Sequence, residues 1–200
     1  MEGNKEIDPA CIMEPKPGEH KLQNKFCFWY MQRDQSEGRN MQVTEYEKSI
    51  KKIAQFETIE GFWGVYNHLT KPNDIPTTTE FHLFRAGIKP IWEDRSNQHG
   101  GKIMIRLTKG LASRYWEIVL LAIIGEQFAV GDEICGAVMS VRAHEDILAI
   151  WHRNADNQVA LNKIRETLRV ILDLPGFVRT EYKRHEKRLK VSSRGSGWRE

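Results

Sequence analysis

The stretch Ile134-Cys135-Gly136-Ala137-Val138-Met139-Ser140-Val141-Arg142, then Ala143-His144-Glu145-Asp146, then Ile147-Leu148-Ala149-Ile150-Trp151, decides the architecture. Two apolar runs of strand length, joined by a short polar link, read as a β-hairpin, and a hairpin is antiparallel by construction. Working outward, residues 22–31, 48–53, 81–85, 102–107 and 177–183 carry further strand-like runs, rich in aromatics or alternating polar with apolar. Most of the sheet is therefore expected to be antiparallel.

Three helical patterns interrupt the strands. The first follows Thr58 as an N-cap and reaches about Leu69, with Phe62, Tyr66 and Leu69 on one stripe and Trp63 at its edge. The second starts near Ser113, puts Trp116, Leu120 and Ile123 on one side, and stops at Gly125. The third runs from about Asp156 to Asp173, with Leu161, Ile164, Leu168 and Ile171 spaced for one buried face, and ends before Leu174-Pro175. Helices that each bury one face suit an α+β domain in which they cover one side of the sheet and leave the other open for binding. Gly61 and Gly64 lie inside the first helix, where each costs on the order of 1 kcal/mol relative to alanine, and the pattern offers no reason for them.

A chain of 200 residues, 40% hydrophobic, fits one domain with a sizeable core. Residues 1–19, polar and proline-bearing, and 191–200, with Ser192-Ser193-Arg194-Gly195-Ser196-Gly197, read as flexible ends around a domain spanning 20–190. The start lacks an apolar signal core and the longest apolar run, 118–124, is too short to cross a bilayer. A soluble, cytoplasmic monomer is expected. Cys11, Cys27 and Cys135 give neither a zinc spacing nor a disulfide frame, which suits a reducing compartment. The net charge of +3 is modest, but Arg179, Lys183, Arg184, Lys187, Arg188, Lys190 and Arg194 crowd the end of the chain, as a phosphate-meeting patch or a solvated tail.

The stretch with the most chemistry is Ile88-Lys89-Pro90-Ile91-Trp92-Glu93-Asp94, a tryptophan beside two carboxylates at a turn between strands. Such a trio can hold a guanine: the indole stacks, and a carboxylate accepts from the N1 and N2 donors of the Watson-Crick edge. A methylated, cationic guanine adds a cation–π attraction of up to about 2 kcal/mol. The bland alternative is a core tryptophan flanked by solvated turn residues. A hydrolase is disfavoured, because no helix carries the clustered glutamates that divalent-metal chemistry needs. His68, His82, His99, His144, His152 and His185 also share no ligand spacing. No catalytic residue, metal or cofactor is expected.

Ordered motifs carry a resemblance: His20-Lys21-Leu22-Gln23-Asn24, Phe56-Glu57-Thr58-Ile59-Glu60-Gly61-Phe62-Trp63, Phe84-Arg85-Ala86-Gly87-Ile88-Lys89-Pro90-Ile91-Trp92-Glu93-Asp94, and Ile134-Cys135-Gly136-Ala137-Val138 leading to Arg142 and Trp151. Together, over roughly residues 20–183, they resemble the initiation factor 4E family of messenger-RNA cap-binding proteins. The resemblance implies a curved, mainly antiparallel sheet of about eight strands with three helices on its convex face and the 7-methylguanosine cap gripped on the concave side. It implies that Trp92 and Tyr46 sandwich the base, Glu93 reads its edge, Trp151 lies near the added methyl group, Arg142 grips the triphosphate and Lys102 supports it. Asp94 is expected to be a turn or ion-pair residue.

It implies too a surface for helical peptides of the Tyr-x-x-x-x-Leu-apolar type, from 4E-binding proteins or the initiation scaffold, built on His20, Ile59, Trp63 and Gly125. Several positions depart from the common pattern. Tyr46 stands for a tryptophan, Ile147 for a phosphate-binding lysine, Ile103 for an aromatic and Lys21 for a proline. Tyr46 and Ile147, with the loop 33–44 and the run Lys109-Gly110-Leu111-Ala112-Ser113-Arg114, resemble the divergent 4E-homologous class, which represses messages by occupying caps unproductively, while Lys21 alters the rim of the peptide groove and Ile103 is left unexplained. The expectation is a cap-binding repressor; the alternative is an initiation factor serving selected messages, and a third reading is a peptide-binding adaptor with a decayed cap pocket.

Overall fold

The computed structural model describes residues 12–32 and 49–185. Seven strands lie in one curved sheet: β1 (Lys21–Gln32), β2 (Ile50–Thr58), β3 (Thr79–Arg85), β4 (Gly101–Leu107), β5 (Ile134–Val141), β6 (Asp146–His152) and β7 (Glu181–Arg184). Their order is β2-β1-β3-β5-β6-β4-β7, and every neighbouring pair is antiparallel. Three helices, α1 (Ile59–Tyr66), α2 (Ala112–Ile124) and α3 (Gln158–Ile171), pack on one side. The α+β architecture agrees with the sequence reading, with seven strands among the described residues against about eight expected.

The element ends follow local hydrogen bonding. The Thr58 side chain accepts from Gly61 N at 2.9 Å and so starts α1 where expected. Helix α1 closes at Tyr66, earlier than Leu69. Helix α3 starts at Gln158 because Asn157 Oδ1 accepts from Ala160 N at 3.1 Å. The β5–β6 hairpin forms as read, except that Arg142 leaves the strand and its N–H closes the turn on Asp146 Oδ1 at 3.2 Å. Strand β2 runs to Thr58, past the expected 53, because Ala54 and Phe56 continue its buried face. Strand β7 is shorter than expected: Val178 N donates to Pro175 O at 2.9 Å in a turn, and Phe177 is left exposed.

Directly opposed residues of antiparallel strands share a face, so the register sorts the sheet into rows. The row Phe28, Leu83, Ala137, Ile150 and Ile103 belongs to the main core, which α1, α2 and α3 cover with Phe62, Trp116, Leu120, Ile164 and Leu168. Ile103, which the sequence left unexplained, is therefore a core residue with no exposed surface. The intervening rows face the other way. One runs Cys27, Phe84, Gly136, Trp151, Lys102 and Lys183; another runs Met31, Glu80, Ser140, Ile147 and Arg106. A second, smaller apolar cluster of Phe84, Ile88, Cys135, Val138, Ala149 and Trp151 lies on this open face.

Gly61 has a steric reason the helical pattern hid. A Cβ there would stand 2.9 Å from Thr58 Oγ1 and 3.2 Å from Phe56 Cβ, so any side chain would disturb the cap that starts α1.

Candidate nucleotide site and partner surface

Trp92 packs, partly buried, against the open-face cluster that contains Trp151. The loop carrying it is held from within. Asp94 Oδ2 accepts from Lys89 N at 3.0 Å and its Oδ1 from Ser96 N at 2.9 Å, which makes Asp94 the turn residue expected of it. Asn97, fully buried, donates from Nδ2 to Lys89 O at 2.9 Å and to Ile91 O at 2.8 Å. Cys135 Sγ–H reaches Ser96 O at 3.3 Å and ties the loop to β5, while burial pushes its thiol up to about 12. Trp92 and Glu93 are thus presented by a braced turn, and both Glu93 carboxylate oxygens are shielded from solvent.

Trp151 is buried, edge-on to Phe84 with ring centroids 5.5 Å apart. Gly136, between them in the row, makes this possible: a Cβ there would fall 2.4 Å from Leu83 O and 2.5 Å from Phe84 Cγ. Lys102 Nζ lies 5.5 Å from the Trp151 ring centre, so a cation and an indole share this end of the face. His185 completes it with its ring 4.2 Å from that of Trp151. Its Nδ1–H donates to Asn97 O at 3.0 Å, and burial lowers its pKa to about 4, leaving a neutral ring.

Arg142 sits at the far, turn end of the face. Six residues separate it from Gly136 on β5, about 20 Å of chain at strand pitch. It is half exposed, with Nη2 3.5 Å from the buried Glu80 carboxylate, which Ser140 Oγ also approaches at 3.0 Å. The described residues therefore bring Trp92, Glu93, Trp151 and Lys102 to one end of one face and Arg142 to the other. Tyr46 lies outside the described residues, as does most of the basic run near the end of the chain. Sequence reasoning missed Asn97 and His185, although the Asp94-x-Ser96-Asn97 spacing after a turn could have marked the brace.

On the helix side, α1 exposes Ile59 and partly exposes Trp63, whose ring stands edge-on to Tyr66. His20 is fixed beside them. Its Nδ1 lies 2.7 Å from Glu60 Oε1 and its backbone N donates to Glu60 Oε2 at 2.9 Å, the contact that raises the imidazole's pKa and lowers that of the carboxyl. Helix α2 offers exposed Leu121 one turn beyond Glu117. Gly125 ends α2, and the next residue, Glu126, is gripped by Arg85 Nη2 at 3.3 Å and by Asn24 Nδ2 at 2.7 Å.

Comparisons with known proteins give the family and agree with the fold. Residues 21–197 match the family model described as eukaryotic initiation factor 4E. Initiation factor 4E-4 of Caenorhabditis elegans is 43% identical over 185 residues, covering 91% of this chain and 86% of that protein. Initiation factor NCBP of Oryza sativa subsp. japonica is 43% identical over 180 residues, covering 90% of this chain and 78% of its own. Initiation factor 4E-1 of Zea mays is 39% identical over 187 residues, with 92% and 84% covered. Among solved structures, C. elegans eIF4E-3 in complex with the 4E-binding protein Mextli and a cap analogue superposes with a TM-score of 0.77 at 34% identity, over 84% of this chain and 93% of that one. Ascaris suum eIF4E-3 with an m7G cap gives the same score and identity, over 84% and 92%. The chain belongs to the eukaryotic initiation factor 4E family, whose members are cap-binding proteins and not enzymes.

Proposed function

We propose that this chain binds the 7-methylguanosine cap of messenger RNA on the open face of its sheet, in the cytoplasm and as a monomer. The observation that carries the reading is the braced 89–97 loop, which sets Trp92 against the Trp151 cluster, with Glu93 next to it in the loop and Lys102 over the Trp151 ring. Trp92 stacks on the base, with Tyr46 as the second ring; Glu93 accepts from its Watson-Crick edge; Trp151 meets the methyl group; Lys102 and Arg142 take the phosphates. The solved relatives that carry a cap analogue or an m7G cap support this assignment.

The chain acts as a repressor that competes with the canonical initiation factor for caps, by mass action. The isoleucine at 147, where the common family pattern has a phosphate-binding lysine, supports this. An alternative, a cap-binding initiation factor that recruits the scaffold to selected messages, is favoured by the partner surface of His20, Ile59, Trp63 and Gly125. The complex of C. elegans eIF4E-3 with Mextli supports helical 4E-binding peptides as its occupants.

Titration with 7-methyl-GTP and GTP, followed by tryptophan fluorescence, tests the first step. The methylated ligand is expected to bind more tightly, and Trp92→Ala and Glu93→Ala to abolish the preference. Equal binding of the two ligands would overturn cap recognition. Pulldown of the initiation scaffold from extract then separates the roles, since a repressor recovers little scaffold and an initiation factor recovers it with the cap.

A further inference from the structure

We infer that Arg106 is a third phosphate-gripping residue of this site, a guanidinium across Ile147 from Arg142 that Glu145 and Glu181 hold in place until a polyphosphate displaces them. The inference rests on the cap-binding reading and extends it to a residue outside the expected set. Arg106 is directly opposite Ile147 in the β4–β6 register, and Ile147 is opposite Ser140, so all three point from the open face. Arg142 approaches the same row from the other side, at Glu80. A triphosphate laid along this face meets the side chain of Ile147 with an arginine on either hand.

Charge at this end makes a second cation necessary. Arg142 shares its charge with Glu80, so it alone balances little of a triphosphate. Lys109 is committed elsewhere: Nζ donates to Asp146 Oδ1 at 2.6 Å and to Arg142 O at 3.1 Å, and Asp146 is completely buried. Lys102 is four residues up β4 beside Trp151, about 13 Å away at strand pitch. Arg106 supplies the missing charge in the right row.

Its present partners are placed to be exchanged. Nη1 meets Glu145 and Nε donates to Glu181 Oε1 at 2.7 Å, while Nη2 makes only a 3.5 Å contact to Glu181 Oε2. All three side chains are well exposed, and ion pairs in such surroundings contribute little stability. Two carboxylates on one guanidinium leave an excess negative charge that opposes an arriving phosphate. A phosphate offers the planar fork a bidentate partner of higher charge, so the exchange is favourable.

The test separates phosphate grip from base grip. Wild type, Arg106→Gln, Arg106→Lys, Glu145→Gln and Arg142→Gln are each titrated with 7-methylguanosine, which has no phosphate, with 7-methyl-GTP and with GTP. Circular dichroism checks that each variant is folded. Arg106→Gln should weaken 7-methyl-GTP about tenfold and leave 7-methylguanosine unchanged, Arg106→Lys should recover part of the loss, and Glu145→Gln should tighten 7-methyl-GTP severalfold. If Arg142→Gln removes the triphosphate's advantage but Arg106→Gln does not, the inference is overturned and cap recognition stands. If wild type fails to prefer 7-methyl-GTP over GTP, cap recognition fails and the inference with it.

Discussion

At the scale of single residues, the base end of the site depends on a missing side chain as much as on those present. Gly136 lets Phe84 and Trp151 meet over the strand between them, and its Cβ position is already filled by Leu83 O at 2.4 Å and the Phe84 ring. Gly136→Ala therefore forces β3 and β5 apart or displaces the ring. The expected cost is about 1–3 kcal/mol, read as a lower urea midpoint at unchanged slope, with weaker cap-analogue binding because Trp151 loses its seat. An unchanged midpoint would mean that the strands absorb the methyl freely. Glu93→Gln tests the opposite kind of residue, one whose chemistry matters more than its volume. It should keep the fold and weaken 7-methyl-GTP by roughly 1.5–3 kcal/mol, as expected for loss of a charge-assisted hydrogen bond to the base edge.

At the scale of elements, the loop between β3 and β4 behaves as a built part, with Asp94 and Asn97 as internal struts. Asn97→Ala removes two buried hydrogen bonds to the Lys89 and Ile91 carbonyls and leaves each with a single backbone donor, Ile91 N and Asp94 N. Stability should fall by about 2 kcal/mol in a denaturant titration. Cap-analogue affinity should fall too, although Asn97 itself is fully buried. Peptide binding at α1 should be unaffected, which separates loop loosening from global damage. These struts also mark how far the chain could be read without coordinates. The β5–β6 hairpin, the Thr58 cap and the Gly125 stop were legible because hydrophobic period, capping oxygen and glycine each act over a few residues. Trp92, Glu93 and Arg142 stand out in the sequence because they sit in ordered motifs, and their roles rest on the resemblance. His185 was not legible, because its place depends on a hydrogen bond to the Asn97 carbonyl 88 residues away, whereas Asn97 braces carbonyls six and eight residues before it, within reach of a closer reading of the turn. Arg106 was hidden for a similar reason, since its place opposite Ile147 is a property of strand register and not of spacing along the chain.

At the scale of the whole molecule, the sheet end that offers a cationic ligand its pocket also buries two histidines, and this couples stability to pH. His185, against Trp151, is pushed to about 4 chiefly by burial, with Lys102, His152 and Lys183 adding repulsion of its charged form. His152, next to it across the sheet end and 3.0 Å from the Tyr182 hydroxyl, is also lowered by burial. In the unfolded chain both titrate near 6.5, so between about 4 and 6.5 the unfolded state binds more protons than the folded one. Stability is then full above 6.5 and falls as pH drops toward 4, by up to about 3 kcal/mol from His185 alone. The His20–Glu60 pair acts in the other direction for the imidazole, favouring the fold most at low pH, but it is fully exposed and contributes weakly. Denaturant titrations of wild type and His185→Gln across pH 4 to 7.5 check this: the variant, whatever its absolute stability, should show the shallower loss in acid. Parallel curves would assign the acid sensitivity to carboxylates instead. Because protonated His185 would set a cation against Trp151, cap-analogue affinity should fall with stability over the same range in wild type, and His185→Gln should flatten both slopes together.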